Sequence, residues 1–104
     1  MHTDLYGTTS DDIEEAKASV EAALECSLNR HESTYTSGDY YRADLMNGEV
    51  VTLKNNIDPF DGKPLETNFP NYFIILYISN TRRSPEIKSA LRGGKVSFIL
   101  LRHK

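Results

Sequence analysis

Near its end the chain carries two apolar runs, "YFIILYIS" (72–79) and "KVSFILLR" (95–102), on either side of "SPEIKSALRGG" (84–94). The first run does not alternate apolar with polar residues, as expected of a central strand covered on both faces or packed under helices, and the second reads as a last apolar strand. The segment between them reads as a short helix, with Ser84 as N-cap, Pro85 at the first helical position, Ile87 and Leu91 on one face and Gly93 as the stop. A short helix between two buried strands suggests a right-handed crossover that leaves them parallel. The chain must therefore build a sheet under a helical layer.

The earlier residues supply the remaining elements. From Asp11 to Leu24 the apolar residues Ile13, Ala16, Val20, Ala23 and Leu24 recur at spacings of three and four, the pattern of an amphipathic helix. Asp11 with Glu14 has capping-box spacing, and Asp12, Glu14 and Glu15 complement the helix dipole. Beyond the helix the period falls to two. Leu28–Tyr35 and Asp39–Leu45 flank Ser37-Gly38, and Glu49–Asn55 follows Asn47-Gly48, a strong two-residue hairpin signal. The two sheet faces are ambiguous, because Val51 and Leu53 favour one side while Ala43, Leu45 and Val50 favour the other. "NIDPFDGKPLETNFPN" (56–71) reads as a long ordered loop across the sheet. The expected fold is α+β: a mostly antiparallel five-stranded sheet, two helices on one face, element order α-β-β-β-β-α-β.

Composition sets the bounds. The 104 residues fit one domain, with residues 1–10 expected as a flexible N-terminal segment, and 38% hydrophobic content is ample for one core. The single cysteine, Cys26, excludes an internal disulfide and follows the helical pattern as a small apolar group, which favours a reducing, cytoplasmic setting. The N-terminus lacks the basic and apolar regions of a secretory leader, and the longest apolar run has seven residues, far short of a membrane span.

Candidate chemistry concentrates in "HESTYTSGDYYRAD" (31–44). A two-residue turn at Ser37-Gly38 would set Tyr35 opposite Tyr40, Ser33 opposite Arg42 and His31 opposite Asp44. A small hydrolase using His31, Asp44 and Arg42 is one reading. A mid-strand Ser33 without oxyanion donors argues against it and favours a structural pair. "DPFDG" resembles a calcium loop, but aligning Gly62 with the turn glycine puts Ile57 and Pro59 at ligand positions and Asn68 where a glutamate belongs. One cysteine with His2, His31 and His103 makes no zinc motif, and "RGGKVS" lacks half a phosphate loop. No cofactor, metal or small-molecule substrate is expected.

Charge divides sharply along the chain. Residues 1–70 carry five Lys/Arg against fourteen Asp/Glu, whereas residues 71–104 carry seven against one. The basic third (Arg82, Arg83, Lys88, Arg92, Lys95, Arg102 and Lys104) offers a second reading, a nucleic-acid-binding regulator, which the acidic remainder opposes.

The succession of an acidic capped helix, "HESTYTSGDYYR", "GEVVTL", "DPFDGKPLETNFPNYFIILYISNT" and "RSPEI" resembles small immunity proteins of bacterial polymorphic toxin systems, in particular those of contact-dependent growth inhibition. The resemblance implies a cytosolic, non-enzymatic inhibitor that binds one cognate toxin domain, in many such pairs a nuclease, and blocks its active site or substrate access. It carries over no catalytic residues. A nuclease site is electropositive, so an acidic inhibitor can be steered to it and tyrosines can anchor it. The candidate contacts are Glu14, Glu21, Glu25, Asp39, Tyr40, Tyr41, Asp44, Asp58, Asp61, Glu66 and Tyr72. The expected partner is a basic toxin domain bound 1:1.

Overall fold

The computed structural model describes residues 2–32, 39–57 and 62–103. Along them run β1 (His2–Thr8), α1 (Ile13–Leu24), β2 (Asn29–His31), β3 (Tyr40–Asp44), β4 (Val50–Asn55), β5 (Ile74–Thr81), α2 (Ser84–Arg92) and β6 (Ile99–His103). The strands form one sheet ordered β2-β3-β4-β5-β1-β6, antiparallel at every neighbouring pair. The α+β class holds, and the two helices pack on each other over one face of the sheet. The sheet has six strands, however, and begins with one.

That first strand corrects the expectation of a flexible N-terminus. β1 lies between β5 and β6 and is antiparallel to both, so the two apolar strands are parallel to each other but not neighbours. α2 therefore belongs to a split β-α-β unit, leading from β5 to β6 with β1 left between them, whereas α1 leads from β1 to β2 at the far edge, with β5, β4 and β3 between. Gly7 is required by close packing, because a Cβ there would lie 2.7 Å from Leu101 Cδ1 and 2.9 Å from Tyr72 Cγ.

α1 starts one residue later than the capping-box spacing suggests. The Asp12 carboxylate accepts from the backbone N–H groups of Glu14 and Glu15, both at 3.1 Å, so Asp12 and not Asp11 is the N-cap. Ala16, Val20 and Leu24 are buried on the expected face. α2 begins with Ser84 inside the helix and Arg83 at the cap; the Ser84 hydroxyl donates instead to Asp4, at 2.7 Å. Ile87 and Leu91 are buried, and Gly93 closes the helix through its N–H to Ser89 O at 3.1 Å.

The Asn47-Gly48 signal finds a real hairpin with a longer loop. Leu45 pairs with Glu49 (N to O, 2.8 Å), the Gly48 N–H bonds Leu45 O at 3.0 Å, and Gly48 has φ +92°. The loop is therefore three residues, Met46 to Gly48, of the turn-plus-bulge kind. One added residue moves the register by one and removes the ambiguity of faces. Ala43 now stands opposite Val51 and Tyr41 opposite Leu53, all towards the helices.

The opposite face of the sheet is covered in part by the segment 62–73, which crosses it as a strap. Asn56 anchors this strap. Its buried side-chain amide donates to Phe69 O (2.9 Å) and Tyr72 O (2.8 Å), and its carbonyl accepts from the Glu66 N–H (2.9 Å). Beneath the strap Leu5 and Ile75 are buried on the face away from the helices.

Candidate functional site

Of the stretch that concentrates chemistry in the sequence, Tyr40–Asp44 is held as β3 against β4. β2 and β3 pair Asn29 with Arg42, Arg30 with Tyr41 and His31 with Tyr40. His31 therefore does not face Asp44. It stacks on Tyr40, with ring centroids 5.3 Å apart and planes at 11°, while Asp44 lies four residues further along β3 and pairs with Arg42 at 3.0 Å. Four strand residues are about 13 Å, so the hydrolase constellation is not assembled. The observed register of β2 against β3 is shifted by four residues from the expected one, since His31 stands opposite Tyr40 and not Asp44. Ser33, Tyr35 and the Ser37-Gly38 turn lie outside the described residues, as do Asp58 and Asp61.

A serine, a histidine and an aspartate do meet elsewhere. Buried Asp4 accepts from Ser84 Oγ through one oxygen and contacts His103 Nδ1 through the other. Here the carboxylate stands between serine and imidazole, whereas nucleophilic catalysis needs the imidazole between them. The cluster ties β1 to β6 and to the start of α2. Next to it the Tyr6 hydroxyl is buried without a hydrogen-bond partner among the described residues, and burial, with Asp4 nearby, pushes its pKa up to about 12.

Five of the candidate contacts line two clefts along the seam where α1 meets the β2–β3 side of the sheet, Asp44 at its rim with its side chain turned to Arg42. At one end a cleft of about 320 Å³ is lined by Glu14, Asp39 and Tyr41, together with Ile13, Arg30 and Lys54. The Tyr41 hydroxyl donates to Glu14 at 2.6 Å, Lys17 Nζ sits 5.5 Å from the Tyr41 ring centre, and Arg30 pairs with Asp39. The bond to Glu14 raises the Tyr41 pKa and keeps the phenol protonated. At the other end a cleft of about 500 Å³ is lined by Glu25, Asp44, Cys26, Met46 and Arg83, among others. Burial, and next Glu21, raises the Cys26 pKa, which makes it a poor nucleophile.

The remaining described candidates make their contacts elsewhere in the fold. Glu21 pairs with Lys17 at 3.5 Å and accepts the Leu28 N–H at 2.8 Å, fastening the end of α1 to the approach to β2. Glu66 belongs to the strap, where it accepts from Tyr77 and pairs with Arg102 at 3.3 Å. Tyr72 lies against Gly7, and Tyr40 faces away from the helices beside His31. In the basic third, Arg83 is held by Glu49 at 2.8 Å, whereas Arg82, Lys88, Arg92 and Lys95 are not buried.

Met46 is a candidate contact that sequence reasoning missed. It tops the β3–β4 loop fully exposed, beside Glu25 and Asp44. An apolar residue just before Asn-Gly in a hairpin tip has no core to enter, and that was the available signal. Among the described residues no three His, Cys, Asp or Glu side chains converge as metal ligands, and no helix is long and apolar enough to cross a membrane. No family model, curated protein or solved structure matches the chain.

Proposed function

We propose that this chain is a non-enzymatic inhibitor of the immunity type, which binds one basic toxin domain in the cytoplasm and covers its active site or its route to substrate. The observation that supports it most is the seam. Glu14, Asp39 and Tyr41 line one cleft and Glu25 and Asp44 the next, with Met46 projecting beside them. Acidic rims steer a cationic partner during encounter, while an exposed methionine and a tyrosine supply apolar anchors that slow dissociation. Several of these acids already have local cations, such as Arg30 for Asp39 and Arg42 for Asp44. The partner must therefore compete with or extend those pairs, which favours arginine-rich, bidentate contacts.

The test combines the chain with the toxin domain encoded beside its gene. The expected result is a 1:1 complex, loss of the toxin's activity, and an association rate that falls about tenfold or more as salt rises from ~50 to ~300 mM. Glu14→Lys with Glu25→Lys should slow association, and Met46→Asp should speed dissociation. Association indifferent to both salt and these substitutions would sink the acidic seam as the binding surface.

A further inference from the structure

The two edges of the sheet differ in a way that points to a second interaction surface. One edge, β2, has three residues, all exposed, two of them Arg30 and His31, and such short, polar edges resist further pairing. The other edge, β6, has five residues, "ILLRH", and its first three are aliphatic. Its inner side pairs with β1, and among the described residues no strand lies beyond it. Alternate N–H and C=O groups of such a strand point outward, ready for another backbone.

The surroundings of β6 define what that backbone should carry. On the face away from the helices Ile99 is 52% exposed, and Phe73, two residues before Ile75 on the same face, is 51% exposed. Ile99 is in register with Gly7, and Gly7 with Ile75, so these groups lie at one end of the sheet. On the helix face a groove of about 440 Å³ between α2 and β6 is lined by Lys88, Arg92, Ser97, Phe98, Ile99 and Leu100. Successive side chains of an added strand would meet an apolar surface and a cationic one in turn.

We propose that the outer edge of β6 takes up an extended acidic peptide segment as a seventh strand, with its apolar residues beside Ile99 and its alternate carboxylates facing Lys88 and Arg92. Charge decides the occupant. A second copy pairing β6 with β6 about a two-fold axis would bring its own Lys88 and Arg92 towards these, and like charges oppose that contact. A peptide alternating Glu or Asp with Val or Ile meets both faces correctly. This surface uses opposite chemistry from the acidic seam and does not depend on it.

The probe is a capped octapeptide of alternating Glu and Val, labelled and titrated with the full chain by fluorescence anisotropy at ~50 mM salt. Saturable binding is expected, weakened about tenfold or more by Lys88→Glu with Arg92→Glu, both exposed positions whose exchange leaves the core untouched. N-methylation of alternate peptide amides separates strand pairing from simple charge attraction without altering the protein. One set of methylations should abolish binding and the other set should be tolerated. The proposal is overturned by any of four results: no saturation; equal binding of the Lys-Val peptide or of a single-stranded oligonucleotide of equal charge; tolerance of both methylation sets; or a dimer in sedimentation that the peptide does not dissolve.

Discussion

The sheet has two halves that differ in cover. Under the β5–β1–β6 half the helices lie on one face and the strap on the other, and β5 is buried almost continuously from Ile74 to Ile78. In the β2–β3–β4 half the face away from the helices keeps Tyr40, Arg42, Val50 and Thr52 partly exposed, and burial along β4 alternates. The same sheet thus reads as period two on one side and as an apolar run on the other. The difference teaches that alternation reports what lies above a strand, not whether the strand exists.

The widest gap between the halves should appear on truncating one side chain in each, on the same face. Ile75→Ala opens a cavity beneath the strap and should lower unfolding free energy by about 2–4 kcal/mol. Val50→Ala, on partly exposed β4, should cost about 1 kcal/mol or less. Urea denaturation measures both, and equal losses would dissolve the distinction between the halves.

Removing the strap's anchor should convert the covered half into a likeness of the other. Asn56→Ala deletes three hydrogen bonds to the strap backbone and leaves a buried gap, an expected loss of about 2–3 kcal/mol. Hydrogen exchange should then accelerate over residues 62–73 and along β1 and β6 before it does in β3 and β4. Uniform acceleration across the sheet would mean that the strap is not a separable cover.

Most of this architecture was legible where local pattern and tertiary position agree. The apolar faces of α1 and α2, the exit of α2 at Gly93 and the positions of β3 to β5 follow from spacing and turn chemistry alone, while β6 starts at Ile99, four residues into the run read as a strand. β1 was not legible, because "HTDLYGT" carries Asp4 and Gly7, which argue against a central strand. Asp4 is tolerated only because Ser84 and His103, distant in sequence, meet its carboxylate. Gly7 is there because Tyr72 and Leu101 occupy the space of a side chain. The candidate site was half legible: acidic and aromatic residues marked the seam, but the one-residue loop extension and the register of β2 separated Tyr40 and His31 from it.

The last test concerns a charged contact that bridges the two halves. Glu49, at the foot of the β3–β4 hairpin, is buried with its side chain only 3% exposed, and Arg83 reaches it from the end of β5 with bonds of 2.8, 3.0 and 3.1 Å. The Thr81 hydroxyl donates to it as well, at 2.8 Å. Arg83 is the main reason that the Glu49 pKa is lowered, with Thr81 and Asn47 adding to the effect against burial. A carboxylate whose folded pKa lies below its unfolded one contributes stability that is complete above the unfolded pKa and is lost as pH falls through the folded one. Glu49→Gln should therefore cost about 1–3 kcal/mol at neutral pH, reduced from the fully buried case because Arg83 is 43% exposed. The gap between wild type and variant should close as pH drops below about 4.5, where the unfolded carboxylate begins to protonate. Denaturant titrations at several pH values read this directly. A gap that stays constant down to pH ~2.5 would show that the pair adds packing and no charge linkage, and that the two halves are joined by their shared core alone.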